Sequence, residues 1–275
     1  MTETTPAAGG VVGADRDSDG DDGMNPFRLD GRVAVVTGGG GGLGGGICAA
    51  LAAAGATVAV VGRTREKLER VASSVNEGGG QALAVEVDIA DEASVAAMTE
   101  RVIDAFGGID ILVNNAAVYH RKPWTEITTA DWDHVLDTNL KGYYLCARAA
   151  YPALKESGHG RIINVASITF FGGVPYLLDY VASKGGIVGL TRALAREAGP
   201  DGITVNTLSP GAFPTDAEKI HPDLETYNRD ILAAQSIKRR GTPEDVGHLV
   251  TFLAGDAASF ITGQLIQIDG GWMMH

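Results

Sequence analysis

The sequence predicts a single α/β domain of the doubly wound class, with a seven-stranded parallel sheet flanked by helices. Three observations lead to this fold. Apolar β-rich runs alternate with longer helical segments from Val33 onward, a glycine-rich turn joins the first run to the first helix, and no linker or internal repeat divides the 275 residues. Apolar runs separated by helices are what a parallel sheet covered on both faces requires.

The seven predicted strands are short runs rich in apolar and branched residues. They are VAVVT from Val33, TVAVV from Thr57, ALAVEV from Ala82, IDILV from Ile109, RIINV from Arg161, ITVNTL from Ile203 and LIQI from Leu265. Helical patterns lie between most of them, for example Arg65 to Asn76 and Asp91 to Phe106. Residues 27–275 are therefore predicted to form one domain.

Residues 1–26 are predicted to form a disordered acidic tail. They are poor in apolar residues and contain the run DRDSDGDDG, which buries too little surface to fold alone. Met24 is followed directly by NPFRLDGRVAVVTG, so the natural start is predicted at Met24, with a regulatory tail as the alternative.

Composition and charge disfavour several classes of function. The formal net charge of -12 opposes binding to the phosphates of nucleic acids. No signal peptide and no apolar run of about 18 residues occur, so we expect a cytoplasmic protein without a membrane span. Cys48 and Cys146 lie in helical patterns and are expected to be reduced and buried. The six histidines are scattered, so no metal site is expected.

A glycine-rich segment, TGGGGGLGGG, follows the first predicted strand directly and extends from Thr37 to Gly46. It leads into a helical pattern that places Leu43, Ile47 and Leu51 on one face. A glycine-rich turn between strand and helix lets the backbone approach a pyrophosphate, whose charge then lies at the helix amino terminus. We therefore expect a dinucleotide-binding loop here and not a flexible linker.

The end of the second strand indicates which dinucleotide is bound. An NAD-binding domain usually carries an acidic residue there, whereas a nearby arginine accommodates the 2′-phosphate of NADP. Gly62 occupies the acidic position, and Arg63, Thr64 and Arg65 follow it. We expect NADP(H) to be preferred, with NAD(H) still possible. The alternative is that Arg63 is only a solvated residue at a helix start.

A tyrosine and a lysine in the segment SITFFGGVPYLLDYVASKGG form a candidate acid/base pair. Tyr180 and Lys184 are four positions apart, so on a helix they lie on the same face. A nearby ammonium group favours the phenolate and lowers the tyrosine pKa from its usual value of about 10. Taken alone, the pair is more simply interpreted as two exposed helical residues.

With the glycine loop at one end and this pair at the other, the chain resembles the short-chain dehydrogenase/reductase family, which has a Rossmann fold. The resemblance covers about Phe27 to the carboxyl terminus. The matching residues, in family order, are Thr37, Gly38, Gly42, Leu43 and Gly44 in the cofactor loop, Asp88 for the adenine ring, Asn114-Asn115-Ala116-Ala117 for an N-N-A-G motif, Asn139, Ser167, Tyr180 and Lys184 as a catalytic tetrad, and Pro210, Gly211 and Thr215 for the nicotinamide. Ala117 departs from that pattern, because the family has glycine there.

The resemblance implies hydride transfer between NADP(H) and a secondary alcohol or ketone. Ser167 would hold the substrate carbonyl and Tyr180 would act as acid/base. Lys184 would lower the tyrosine pKa and hold the nicotinamide ribose, and Asn139 would connect the site to solvent through a water molecule. Asn115 and Ala116 would contact the cofactor as well. Relatives commonly assemble as tetramers, so a homotetramer, or a homodimer, is expected.

Two stretches are candidates for substrate recognition. The basic segment Tyr119–Trp124 follows the fourth strand and could receive an anionic substrate or an acyl-carrier phosphopantetheine; a solvated loop is the alternative. Residues 212–240 carry a helical pattern and are expected to form a movable lid. The residues expected to make apolar walls are Phe170, Phe171, Tyr176 and Leu177.

Two other functions are compatible with the sequence. A 3-oxoacyl carrier-protein reductase would use the basic segment, and a non-catalytic NADP-sensing protein would use the fold without turnover. The apolar ending with Trp272, Met273 and Met274 is expected to be buried at a subunit interface.

Overall fold

The predicted seven-stranded parallel sheet is confirmed in the computed structural model, which describes residues 25–215, 218 and 223–274. The strands are β1 (Val33–Thr37), β2 (Thr57–Gly62), β3 (Gln81–Glu86), β4 (Ile111–Asn114), β5 (Arg161–Val165), β6 (Thr204–Pro210) and β7 (Leu265–Ile268). They lie in the order β3-β2-β1-β4-β5-β6-β7, and every neighbouring pair is parallel.

Helices connect the strands and cover both faces of the sheet. They are α1 (Gly42–Ala53), α2 (Arg65–Glu77), α3 (Glu92–Phe106), α4 (Thr129–Leu136), α5 (Gly142–Glu156), α6 (Thr169–Gly172), α7 (Leu178–Ala198), α8 (Leu224–Ala234) and α9 (Pro243–Ala254). A π-helical turn, Asp137–Lys141, joins α4 to α5. Local capping fixes some helix starts; for example, the Asp91 carboxylate accepts from Ser94 N at 2.8 Å at the start of α3.

The core has two layers because successive strand residues point to opposite faces. Val36 of β1 belongs to the layer that contains Ile47 of α1 and Val250 of α9. Val35 belongs to the other layer, with residues of α3, α5 and α7 such as Ile187. All five side chains are at most 1% exposed. This burial on both faces explains the uninterrupted apolar runs in the sequence.

The connectivity leaves a crevice at the carboxyl ends of β1 and β4. The chain progresses from β1 to β2 and β3 in one direction, then returns to β4 on the other side of β1. Loops at such a switch point diverge and form the ligand-binding crevice of open α/β sheets. The glycine-rich loop and the segment after Asn114 therefore meet at this place.

Part of the predicted tail and lid lies outside the described residues, namely 1–24, 216–217, 219–222 and 275. Asn25 and Pro26, the last two residues of the predicted tail, form hydrogen bonds with residues of the domain: the Pro26 carbonyl accepts from Ala257 N at 3.2 Å, and the Asn25 carbonyl accepts from Arg28 N at 2.8 Å. The helical pattern predicted within the lid corresponds to α8. Within the described ranges, no helix is long and apolar enough to cross a membrane.

Candidate active site

A cavity of about 820 Å³ opens at the carboxyl edge of the sheet, between the loops that follow the strands. This volume is typical of small-molecule sites. The predicted site residues that line it are Gly38, Gly42, Leu43, Arg63, Thr64, Asp88, Asn115, Ala116, Ser167, Tyr180, Lys184, Pro210, Gly211 and Thr215. Thr37, Gly44 and Asn139 are not among the lining residues.

The glycine loop is shaped for close approach of a ligand to its backbone. Gly38 and Gly42 have φ values of 66° and 53°, in the left-handed region that favours glycine. A Cβ on Gly44 would lie 2.1 Å from the Gly38 carbonyl oxygen, so the loop and α1 are in direct backbone contact. No side chain caps the start of α1. The first amide N–H groups of this helix can therefore bind a phosphate.

Gly44→Ala is expected to lower stability by about 1–3 kcal/mol and to weaken NADP binding, because the new methyl group meets backbone that cannot rotate away. Gly45→Ala is the matched control, since its Cβ would lie 3.7 Å from Val71 Cγ2, an ordinary contact. Chemical denaturation and fluorescence titration with NADPH measure the two effects. Equal stability of the two variants would contradict the close packing described here.

Thr37 and Asn115 hold the ends of β1 and β4 together. The Thr37 hydroxyl accepts from Asn115 N at 2.9 Å and from Ala116 N at 3.2 Å. The Asn115 amide donates to the Thr37 carbonyl at 3.0 Å and to the Gly38 carbonyl at 3.3 Å. These bonds set the position of the glycine loop relative to the segment after β4.

The far end of the cavity carries positive charge where the second strand ends. Arg63 and Lys67 both line it, together with Asp88 after β3. Arg65 is not a lining residue, because its guanidinium forms an ion pair with Glu69 at 2.7 Å. The residues present thus fit a dinucleotide whose ribose carries a 2′-phosphate.

The Ser167, Tyr180 and Lys184 side chains converge on one wall of the cavity. Lys184 Nζ lies 5.4 Å from the centre of the Tyr180 ring and donates to the Val165 carbonyl at 2.7 Å. Ser167 follows β5, and its hydroxyl oxygen accepts from Thr169 N at 3.2 Å and from Thr169 Oγ1 at 3.0 Å. Helical spacing on α7 places Tyr180 and Lys184 on the same face, as predicted.

Burial controls the ionisation of this pair. It raises the pKa of Tyr180 from 10.0 to about 12, opposed by the hydrogen bond from Ser167. It lowers the pKa of Lys184 from 10.5 to about 7. The role expected of Lys184, which is to lower the tyrosine pKa, stays a prediction. Desolvation disfavours the charged forms of both side chains.

Asn139 lies in the π-helical turn and is fully buried. Its amide group donates to the Val118 carbonyl at 2.8 Å and to Ser183 Oγ at 3.2 Å, and its oxygen accepts from Val118 N at 2.8 Å. These bonds fasten the segment after β4 to α7. Helical π-turns occur frequently at functional sites, and the relay role expected for Asn139 stays a prediction.

Only part of the predicted basic segment Tyr119–Trp124 reaches the cavity. Arg121 lines the cavity. Lys122 Nζ instead bonds an Asp131 carboxylate oxygen at 2.8 Å, and His120 Nε2 lies 2.8 Å from Asp179 Oδ2. From this segment, therefore, Arg121 is the cation that reaches the cavity.

The predicted apolar walls are only partly correct. Leu177 lines the cavity, whereas Phe170, Phe171 and Tyr176 are not among its lining residues. The short helix α6 places the Phe170 ring over Gly185 of α7, 3.1 Å from an ideal Cβ position there. The two phenylalanine rings contact each other at 5.0 Å, so they pack beside α7.

Several cavity residues were not identified as such from the sequence: Lys67, Val174, Glu218, Tyr227, Trp272 and Met273. Glu218 forms an ion pair with Arg240, whose guanidinium lies 5.8 Å above the Tyr227 ring. The chain after β7 places Trp272 and Met273 at the cavity wall, and their burial at a subunit interface stays a prediction. Lys67 lies in the first turn of α2, four positions after Arg63, and this spacing could have indicated from the sequence that it lines the same part of the cavity.

No group of three or more potential metal ligands occurs in the described ranges. Both cysteines, Cys48 and Cys146, are free and buried, and burial raises the pKa of each thiol to about 12.

Sequence comparisons match nearly the whole domain. A family profile described as enoyl-(acyl carrier protein) reductase matches residues 39–273. The chain is 37% identical over 243 residues to the (2S)-((R)-hydroxy(phenyl)methyl)succinyl-CoA dehydrogenase subunit BbsD of Thauera aromatica, covering 88% of this chain and 97% of that protein. It is also 37% identical over 244 residues to the 3-oxoacyl-acyl-carrier-protein reductase FabG of Staphylococcus aureus, with 88% and 98% covered.

Solved structures share the fold over the same region. A dehydrogenase/reductase from Sinorhizobium meliloti 1021 is 36% identical with a TM-score of 0.84, covering 90% of this chain and 98% of that chain. A candidate 2-deoxy-D-gluconate 3-dehydrogenase from Agrobacterium tumefaciens, solved with bound NADP, is 36% identical with a TM-score of 0.83, covering 90% and 99%.

Proposed function

Because the chain belongs to the short-chain dehydrogenase/reductase family, we propose that it interconverts a secondary alcohol and a ketone with a preference for NADP(H). Its relatives are oxidoreductases of CH–OH and carbonyl groups. The observation that carries the proposal is the convergence of Ser167, Tyr180 and Lys184 on the cavity that the glycine loop also lines.

The cofactor supplies the hydride, and the protein positions the substrate and manages one proton. In the reducing direction, the Ser167 hydroxyl donates to the substrate carbonyl oxygen. The Tyr180 phenol is neutral at pH 7, and burial raises its pKa further, from 10.0 to about 12. It donates a proton to the same oxygen as hydride reaches the carbon.

Lys184 supports this step from one helical turn away. Its ammonium group favours the phenolate that forms when Tyr180 gives up its proton, and it is in position to hold the nicotinamide ribose. Asn139 connects Lys184 to solvent through water, so that the proton can be replaced. In the oxidising direction the same groups act in reverse.

The preference for NADP(H) is supported by the charges at the end of β2. Arg63 and Lys67 line the cavity, and glycine stands at position 62 where NAD-binding domains carry an acidic residue. Two solved relatives were determined with bound NADP.

Arg63→Ala is expected to raise the KM for NADPH by about 10- to 100-fold, the effect of losing a hydrogen bond to a charged group. The KM for NADH should change little, because NADH has no 2′-phosphate. Arg65→Ala is the control, since Arg65 pairs with Glu69 outside the cavity. Initial rates with both cofactors measure the effect, and equal losses for NADPH and NADH would contradict the proposed contact.

The proposed substrate is a ketone flanked by apolar or ring carbon. Leu177, Tyr227, Trp272 and Met273 supply apolar and aromatic surface to the cavity. We further propose that residues 212–240 act as a movable lid, since Ala212, Phe213, Thr215 and Glu218 of this stretch reach the cavity wall.

A 3-oxoacyl carrier-protein reductase is the alternative enzyme. Arg121 favours it, because it brings a cation to the cavity that could meet a phosphate or carboxylate of the substrate. The FabG relative of Staphylococcus aureus named above has this activity in its name. Lys122 does not support it, since this lysine is already paired with Asp131.

Initial-rate assays of neutral ketones, oxo acids and acetoacetyl thioesters with NADPH and NADH test these functions together. The proposed function predicts turnover of ketones that lack a carrier group. Turnover confined to thioesters would favour the carrier-protein reductase. Tight NADP binding without turnover of any substrate would favour the NADP-sensing protein.

We place the enzyme in the cytoplasm as a homotetramer, or a homodimer. The free, buried cysteines agree with a reducing compartment. Exposed aromatic side chains agree with subunit contacts, since Trp132, Tyr144 and Phe260 are 37%, 42% and 103% exposed in the single chain. Light scattering after size-exclusion chromatography measures the number of subunits.

A further inference from the structure

Four consecutive residues after β4 contact the segment that leads into α7. In chain order, the contacts are Tyr119 with the Tyr180 ring (5.4 Å between centroids), His120 Nε2 with Asp179 Oδ2 (2.8 Å), the Arg121 guanidinium with the Tyr176 ring (5.5 Å) and Lys122 N with the Tyr176 carbonyl (3.1 Å). Residues 119–122, called the docking segment below, thus lie along the start of the helix that carries Tyr180 and Lys184.

Of these four contacts, the one between His120 and Asp179 involves a fully buried charged side chain. The Asp179 side chain is fully buried and that of His120 is 22% exposed. Asp179 Oδ1 accepts from Tyr180 N at 2.8 Å. Within the described ranges, neither Asp179 Oδ2 nor His120 Nε2 forms a well-directed hydrogen bond with any group. Their approach to 2.8 Å therefore brings together a carboxylate oxygen and an imidazole nitrogen that are otherwise unpaired.

A buried carboxylate without a partner is strongly disfavoured. Asp179 lies in the first turn of α7, where the helix dipole favours a negative charge. His120 supplies the remaining contact from a different part of the chain. The contact between Asp179 and His120 therefore connects the start of α7, next to Tyr180, to the docking segment.

The backbone on the α7 side is held in an unfavourable conformation. Among the described non-glycine residues, Tyr176 alone has a positive φ, 67°. Such conformations persist where surrounding contacts fix them, and they occur often at functional sites. Tyr176 contacts Arg121 and Lys122, which are both residues of the docking segment. Several contacts with that segment therefore fix the backbone conformation of Tyr176.

We propose that His120 and Asp179 are positioning residues that fasten the docking segment to the first turn of α7 and thereby hold Tyr180 in its productive position. The proposal rests on the proposed role of Tyr180 as acid/base. The same contact places Tyr119 and Arg121 at the cavity wall on the substrate side. Small displacements of a catalytic group lower kcat strongly, by about 10²-fold for 1 Å.

His120→Phe tests the proposal, because it keeps a ring and removes the polar partner. We expect a kcat lower by about 10-fold or more, with little change in the Kd for NADPH. The melting temperature should fall, because Asp179 stays buried without a partner. His120→Gln keeps an N–H donor near the Nε2 position and should retain most of the wild-type kcat. His134→Gln, at an exposed histidine of α4, is the matched control.

The double variant His120→Phe/Asp179→Asn separates positioning from stability. It buries no unpaired charge, so its melting temperature should recover towards the wild-type value while kcat stays low. Recovery of both quantities would overturn the proposal, since the pair would then act only on stability. A wild-type kcat in His120→Phe would overturn it as well.

Hydrogen–deuterium exchange provides a readout that does not need a known substrate. Amides of residues 119–122 and 176–181 should exchange faster in His120→Phe and in the double variant, but not in His120→Gln or His134→Gln. Unchanged exchange in His120→Phe would overturn the proposal. Absence of turnover by the wild-type protein would count against the proposed function and leave this test intact.

Discussion

Tyr180→Phe is expected to lower kcat by about 10²- to 10⁴-fold, the usual contribution of a positioned general acid or base. The variant removes only the phenolic oxygen, so the ring keeps its contacts with Tyr119 and with Lys184 Nζ. Affinity for NADPH should be nearly unchanged, because the glycine loop and Arg63 are untouched. Stopped assays at high enzyme concentration are required to measure the residual rate.

Tyr144→Phe is the matched control for this variant. Tyr144 lies on α5, is 42% exposed and is not a cavity residue. It should retain the wild-type kcat. If Tyr180→Phe kept most of the activity while binding NADPH normally, Tyr180 would not be the acid/base and the proposed mechanism would be wrong.

Lys184→Met is expected to abolish turnover and, at pH 7, to stabilise the fold by roughly 1–4 kcal/mol, as when other buried charged groups are replaced by apolar ones. The lysine side chain is 1% exposed, and burial lowers its pKa from 10.5 to about 7. Methionine has a similar length and carries no charge to desolvate. This variant should therefore lose activity and gain stability through a change at a single position.

The pH dependence of stability provides a second measurement of the same effect. Between about pH 7 and 10.5 the unfolded chain binds a proton at Lys184 that the folded protein does not bind. The free energy of unfolding therefore gains a contribution that rises with pH across this window. Lys184→Met should lose that rise. Denaturation between pH 7 and 9 avoids the range above the ordinary thiol pKa of 9.0, where ionisation of the two buried cysteines begins to matter.

Lys155→Met is the control for the pH experiment. Lys155 is half exposed, and its hydrogen bond with Asp201 raises its pKa, so it stays protonated throughout the window. Its variant should keep the wild-type slope. A slope in Lys184→Met equal to that of the wild type would show that Lys184 is not desolvated as described.

The sequence by itself determined the fold and most of the candidate cofactor site. Parallel strands covered on both faces need continuous apolar runs, and these are visible locally in segments such as VAVVT from Val33. The glycine loop is also a local feature. Its turn needs a positive φ at Gly38 and Gly42, and Gly38 and Gly44 lie in backbone contact. Both requirements favour glycine at positions that are close together in the sequence. Helical spacing likewise fixed the shared face of Tyr180 and Lys184.

Only the tertiary structure decided how these groups are charged and what surrounds the substrate. The directions in which the pKa values of Tyr180 and Lys184 shift follow from burial, which depends on the packing of distant segments. The return of Trp272 to the cavity is also a long-range result, as is the contact between His120 and Asp179. Contacts between residues far apart in the chain leave no periodic pattern, so they become visible only once the sheet brings its loops together.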